Sequence, residues 1–178
     1  PFDPPPGVQI ETEEARTLND MLEAGDIDAL VSARMPACFV RRVPHITRLF
    51  EDCRAAEMDY FRRTELFPIM HCVVVRREIY EAHPWVTQNL YKAFCQAKDL
   101  CVGQIYDTNV LRTSQLWQLF EYEETVELMG EDFWPYGFEN NRKNLETFHS
   151  YLLEQGVIKN PVDLASLYAP NTRDTFKI

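Results

Sequence analysis

No apolar run in this sequence approaches the roughly 20 residues that a helix needs to cross a bilayer, so a membrane-spanning chain is not expected. The first residues, Pro1-Phe2-Asp3-Pro4-Pro5-Pro6-Gly7, carry neither the basic stretch nor the apolar core of a secretion signal. A starting methionine is absent as well, and the expectation is an interior start: a processed chain, a fragment, or a sequence read from ordered residues. Lys and Arg never occur more than two together, and the formal net charge is −10. A nucleic-acid backbone needs a concentrated basic face, so that partner is excluded. An anionic small molecule is not, because a few arginines in a cleft act locally. The chain has no GxGxxG or P-loop string, which leaves nucleotide binding without support.

Cysteine is present but unpatterned. Cys38, Cys53, Cys72, Cys95 and Cys101 make an odd count with no CxxC pair, which predicts reduced thiols in a reducing compartment. Cys72 and Cys95 are expected to pack as small hydrophobes. No His, Cys, Asp or Glu set has zinc-like spacing, and Asp26 and Asp28 suit a turn better than a metal site. Neither a metal nor another cofactor is expected. There are no internal repeats.

What is present is a helical pattern behind two short apolar stretches. With 46% hydrophobic residues, a sizeable core is expected in one domain or two small lobes. The stretch Phe67-Pro68-Ile69-Met70-His71-Cys72-Val73-Val74-Val75-Arg76-Arg77 reads as a proline-stiffened entry into a strand. Its three consecutive valines suit a strand buried on both faces. Ile27-Asp28-Ala29-Leu30-Val31-Ser32-Ala33-Arg34 repeats the device, an apolar strand ending in a polar tip. Two strand ends presenting Ser32, Arg34 and His71 suggest two sides of a ligand cleft. Val8 to Ile10 is a further short strand candidate, and the predicted class is α/β.

Helices are predicted by their punctuation. Thr17 caps a helix from Leu18 to Ala24, and Gly25 stops it. A charge-dense helix is expected around Glu51 to Phe61. His83-Pro84 begins a longer one, with Val86, Leu90, Ala93, Phe94, Ala97 and Cys101 on its apolar face. A helix from Ser114 to Met129 ends at Gly130, with Glu121 to Glu124 facing solvent. After an aromatic turn, Asp132 to Phe138, a helix from about Glu139 to Gln155 ends at Gly156, with Leu145, Phe148 and Leu152 inward. Pro161 to Leu167 is a short last helix. Only about three short strands is few for an α/β fold, because a parallel sheet needs neighbours to be paired and covered.

Several strings together resemble the 4,5-dihydroxyphthalate decarboxylase-like family. They run from Leu18 through Leu30 with Ser32-Ala33-Arg34, then Arg62-Arg63-Thr64, Phe67 to His71 and His83-Pro84-Trp85-Val86. Leu90 to Phe94 and Met129 to Gly137 complete the set. The likeness covers nearly the whole chain. It implies a two-lobed fold of the type II periplasmic-binding-protein kind, of which this chain looks like the C-terminal half. Residues 1–68 would finish the second lobe, and 69–178 would return to the first through a hinge near Phe67 to His71. The N-terminal half of the same protein would be the partner that supplies the missing strands. Glu65 and Leu66 depart from the pattern, standing where a glycine and an isoleucine or valine are expected.

The resemblance implies loss of CO₂ from an aromatic dicarboxylate of the 4,5-dihydroxyphthalate type, giving a protocatechuate-like product in the cytoplasm. On pattern alone His71 reads as a core histidine bonded to backbone; the resemblance makes it the proton donor, tuned by partial burial. Arg34, which otherwise caps a strand or pairs with an acidic neighbour, clamps a carboxylate with help from Ser32. Arg63 faces a second carboxylate, or else is simply solvated. Phe67, Met70 and Trp134 form flat walls for an aromatic ring, or pack as plain core. The competing class is a solute-binding protein for a small carboxylate, which a secretion signal and a periplasmic location would favour. A homo-oligomer stays open.

Overall fold

The computed structural model describes residues 4–109 and 112–173. Of these, 51% are helical and none is in a strand. The chain divides into two compact units, residues 1–59 and 60–178.

In the first unit, α1 (Leu18–Ala24) has the predicted boundaries. The Thr17 side chain accepts from the Asp20 N–H, and Gly25 closes the helix at φ 79°, a left-handed turn that glycine adopts without a Cβ clash. A short helix not foreseen, α2 (Ala37–Val40), begins after Pro36 and buries Cys38 completely. Asn19 on α1 accepts the Cys38 N–H at 3.0 Å, which fixes one helix on the other. Arg41 pairs with Glu23, and the His45 ring nitrogen meets the Glu23 carbonyl at 3.0 Å. The helix expected near Glu51 is α3 (Cys53–Thr64), which runs across the unit boundary.

The second unit is organised by α5 (Trp85–Tyr106), preceded by the unforeseen α4 (Arg77–Ala82). Pro84 opens α5, and its carbonyl accepts from the buried Thr87 hydroxyl (2.9 Å) and from Asn171 Nδ2 (2.7 Å). α6 (Gln118–Met129) starts four residues later than predicted and stops at Gly130. A 3-10 turn, Glu139–Asn141, leads into α7 (Arg142–Glu154), and further 3-10 turns follow at Leu164–Leu167 and Pro170–Thr172. The small core is centred on Phe138, only 2% exposed, with Tyr168 at 5.0 Å between ring centroids and the Arg142 guanidinium 4.7 Å from the ring.

Five expectations are corrected. The strands at Val8–Ile10, Ile27–Val31 and 69–75 do not form, and no backbone–backbone hydrogen bond joins residues 68–75 to any other described residue. A strand exists only when a neighbour pairs its N–H and C=O groups, and local sequence cannot supply one. Cys72 is exposed rather than buried. The packed side of α5 is Thr87, Tyr91, Cys95, Lys98 and Val102, while Leu90 and Phe94 of the predicted face are exposed. Both sets recur at helical spacing, and the aromatic turn covers the first. Tyr122, expected in solvent, sits between Tyr106 and Phe133, and Phe148 points outward at 61% exposure.

Candidate functional site

The predicted site residues are built on four local structures. Ser32 and Arg34 lie in the first unit, in the non-helical run that leaves α1. The Ser32 hydroxyl oxygen accepts the Arg34 N–H at 3.2 Å, a local turn that leaves the hydroxyl proton free to donate. Both side chains are exposed.

Arg63 lies in the last turn of α3, where a cation complements the helix C-terminus. Arg62 and Arg63 are therefore neighbours on a helix and project about 100° apart around it. The chain leaves α3 through Glu65, whose φ is 55°. Glycine is the residue expected here, and the left-handed backbone is one that glycine adopts without a Cβ clash. Glu65 is held by Lys143 on α7 at 2.7 Å. The ammonium holds the Glu65 carboxyl below the usual carboxylate range, through its hydrogen bond first and its charge second.

Phe67 is the next fixed point. Its N–H donates to Asn144 Oδ1 at 3.1 Å, and its ring meets Trp134 edge-on, with centroids 5.7 Å apart at 61°. The structure therefore brings together two of the three proposed apolar walls, Phe67 and Trp134, each about two-fifths exposed. Sequence reasoning missed Lys143 and Asn144. Neighbouring polar residues on an amphipathic helix give no sign of which distant residue each one reaches.

Met70 and His71 follow on the open segment. Met70 is 60% exposed and His71 is exposed too, so the burial expected to tune the imidazole is not present. Beyond them Cys72 approaches Tyr168, whose hydroxyl is pushed above the usual phenol range by burial first and by the neighbouring thiol second. This contact ties the open segment to the Phe138 cluster. His149 on α7 accepts the Val162 N–H at Nε2 (3.0 Å).

Trp134 also edges a shallow hollow of about 460 Å³ along α5, lined in part by Lys98, Asp132 and Phe133. Lys98 Nζ lies 2.6 Å from Asp132, 3.2 Å from the Trp134 carbonyl and 5.1 Å from the centre of the Tyr136 ring. Its donors are spent on holding the aromatic turn. Among the described residues no cluster of three His, Cys, Asp or Glu side chains could hold a metal ion, and no helix is long and apolar enough to cross a membrane.

No protein-family model matches the chain. Nearly its whole length is nonetheless similar to about half of a curated decarboxylase, and a shorter stretch to a second. One is the 4,5-dihydroxyphthalate decarboxylase of Comamonas testosteroni, 34% identical over 175 residues, which are 98% of this chain and 53% of the relative. Another, the protein of the same name from Pseudomonas putida, is 37% identical over 49 residues, or 28% of this chain and 19% of the relative. The chain is thus a homologue of these proteins, spanning about half the length of the first in a manner consistent with a C-terminal half.

Proposed function

We propose that this chain is part of a carboxy-lyase acting on an aromatic ortho-dicarboxylate of the 4,5-dihydroxyphthalate type. The observation that carries the reading is the 34% identity to the Comamonas testosteroni decarboxylase, maintained over 98% of the chain. By the same reading the chain is the C-terminal half of a two-lobed α/β protein, with residues 1–68 completing one lobe and 69–178 returning to the other.

In the proposed reaction the ring hydroxyl para to the departing carboxylate pushes electron density to the carbon that bears it. That carbon takes a proton from His71, the C–C bond breaks, and its electron pair restores the aromatic ring as CO₂ leaves. The product is a protocatechuate-like acid. Arg34 and Ser32 hold the retained carboxylate, and Arg63 meets the departing one before it loses its charge. Phe67, Met70 and Trp134 offer apolar surface against the ring, which favours the less charged transition state over the dianion. The Phe67–Trp134 pair, exposed on both members, supports that part of the assignment.

The test is release of CO₂ from 4,5-dihydroxyphthalate by the full-length protein. Binding without turnover would instead identify a solute-binding protein. His71→Ala is expected to lower kcat by at least ~100-fold if the imidazole is the acid. A change confined to KM overturns that role and leaves the carboxy-lyase reading intact.

A further inference from the structure

We infer that Asn144 on α7 is a positioning residue for ring recognition: it sets the Phe67 ring against Trp134, and the wall so formed selects a flat ring over a puckered one. The inference rests on the reading of Phe67 and Trp134 as apolar walls. It adds the residue that shapes them and the property they select.

Local structure fixes the backbone at Phe67. Its N–H donates to Asn144 Oδ1 at 3.1 Å, a contact between residues 77 apart in sequence. Pro68 follows, and a residue before proline is confined to extended backbone. On the other side, Glu65 is paired with Lys143, the neighbour of Asn144 on α7. Pro68 has no N–H to give, and residues 68–75 make no backbone–backbone hydrogen bond to any described residue. The Asn144 bond therefore holds the chain at the point where it opens. Trp134 is held from α5, where Lys98 Nζ donates to its carbonyl at 3.2 Å and to Asp132 at 2.6 Å.

With both backbones pinned, the rings meet at 5.7 Å between centroids and 61° between planes. Phe67 is 43% exposed and Trp134 40%, so each has surface left for a third ring. Two flat surfaces at a steep angle make a corner, in which an aromatic ring can stack on one member and meet the edge of the other. A saturated ring is thicker and has no π face. Charge does not decide recognition at this corner. The two lysines that brace it, Lys143 and Lys98, are each paired with a carboxylate, Glu65 and Asp132. Selection there is by shape, and a ligand's anionic groups must be met by other residues. Without the Asn144 acceptor, Phe67 keeps its hydrophobicity, but its N–H turns to water and its ring loses the fixed angle.

The experiment uses the full-length protein and two non-reacting probes, phthalate and cis-hexahydrophthalate, with binding measured by titration calorimetry. Both carry two neighbouring carboxylates, and neither has the ring hydroxyl that the proposed reaction needs. The ratio of their affinities therefore isolates the ring. In the unaltered protein phthalate should bind at least ~5-fold more tightly, the size of one aromatic contact. Asn144→Leu keeps the bulk, favours the helix and removes the acceptor. It should bring the two affinities within ~2-fold of each other. Asn144→Asp restores the acceptor; its charge weakens both dianions alike, so both affinities fall while the ratio returns. Glu146→Gln, on the same helix but paired with Arg142, should leave the ratio as it was.

A leucine variant that keeps the ratio overturns the inference, as does an aspartate variant that fails to restore it. So does an unaltered protein that binds neither probe or does not distinguish them. Where the leucine variant shows no cooperative thermal transition, Asn144→Ser asks the same question, because its hydroxyl is too short to hold the Phe67 N–H. No arm reads CO₂. A protein that releases CO₂ without this selectivity overturns the inference alone, and selective binding without turnover overturns the decarboxylase reading alone.

Discussion

The aromatic turn Asp132–Phe138 and the segment 68–75 are both short, apolar and proline-bearing, yet one is closed and the other open. The turn has its partners within the same unit: Tyr91 packs against Gly137, Asn141 Nδ2 donates to the Pro135 and Gly137 carbonyls at 2.8 and 2.9 Å, and Lys98 reaches the Trp134 carbonyl. Segment 68–75 has a tether at its start, where Phe67 meets Asn144 and Trp134, and the Cys72 contact with Tyr168. Hydrophobicity alone therefore does not decide burial. Burial follows the supply of partners that satisfy backbone polar groups and side-chain faces together.

The sharpest way to break this comparison is to treat the two regions alike. Phe138→Ala empties the one large, fully buried side chain of the second unit among the described residues and should cost about 3–5 kcal/mol, read as a fall in the urea midpoint of the chain. Val74→Lys in the same isolated chain should change stability by no more than about 0.5 kcal/mol, since Val74 is already 88% exposed. Equal losses would mean that the open segment is packed in solution.

Gly137→Ala is the intermediate case. A Cβ there would lie 2.9 Å from the Tyr91 hydroxyl oxygen, and the backbone has φ 98°. Two costs are combined: the left-handed backbone, about 1–2 kcal/mol, and the displacement of Tyr91. Tyr91→Phe removes the offending oxygen, so the double variant should recover the steric part and keep the backbone part. Thermal unfolding of the two singles and the double measures the split as a coupling energy.

How much of this was legible from sequence depended on whether the physics was local. Thr17 and Gly25 bound α1 through contacts three or four residues away, and Gly130 and Gly156 end their helices for the same reason. The face that α5 buries was not legible, because Thr87-Tyr91-Cys95-Lys98 and Leu90-Phe94-Ala97-Cys101 both follow a helical repeat. Only the aromatic turn, some forty residues on, chooses between them. The strand at 69–75 was legible as a preference and absent as a structure, since pairing is a property of two segments. The homology was legible from strings such as Phe67 to His71 and Met129 to Gly137. The bonds of Lys143 to Glu65 and of Asn144 to the Phe67 N–H were not.

The smallest expected effect lies at the boundary between the closed and open regions, and its size changes with pH. Glu65→Gly relieves a residue held at φ 55° but removes the ion pair with Lys143. The folded state holds the Glu65 carboxyl below its ordinary range. The pair therefore stabilises fully above the unfolded pKa of a glutamate, and its contribution is lost as pH falls through the lower, folded value. Near neutrality the loss of the pair offsets the relief, and the variant should unfold close to the wild-type midpoint. In acid the pair is gone from both proteins, only the backbone term is left, and Glu65→Gly should be the more stable of the two. High salt at neutral pH should move the difference in the same direction by screening an exposed pair. Midpoints that differ equally at pH 7 and pH 3 would show that the clamp at the mouth of the open segment is made by Asn144 and Trp134 alone.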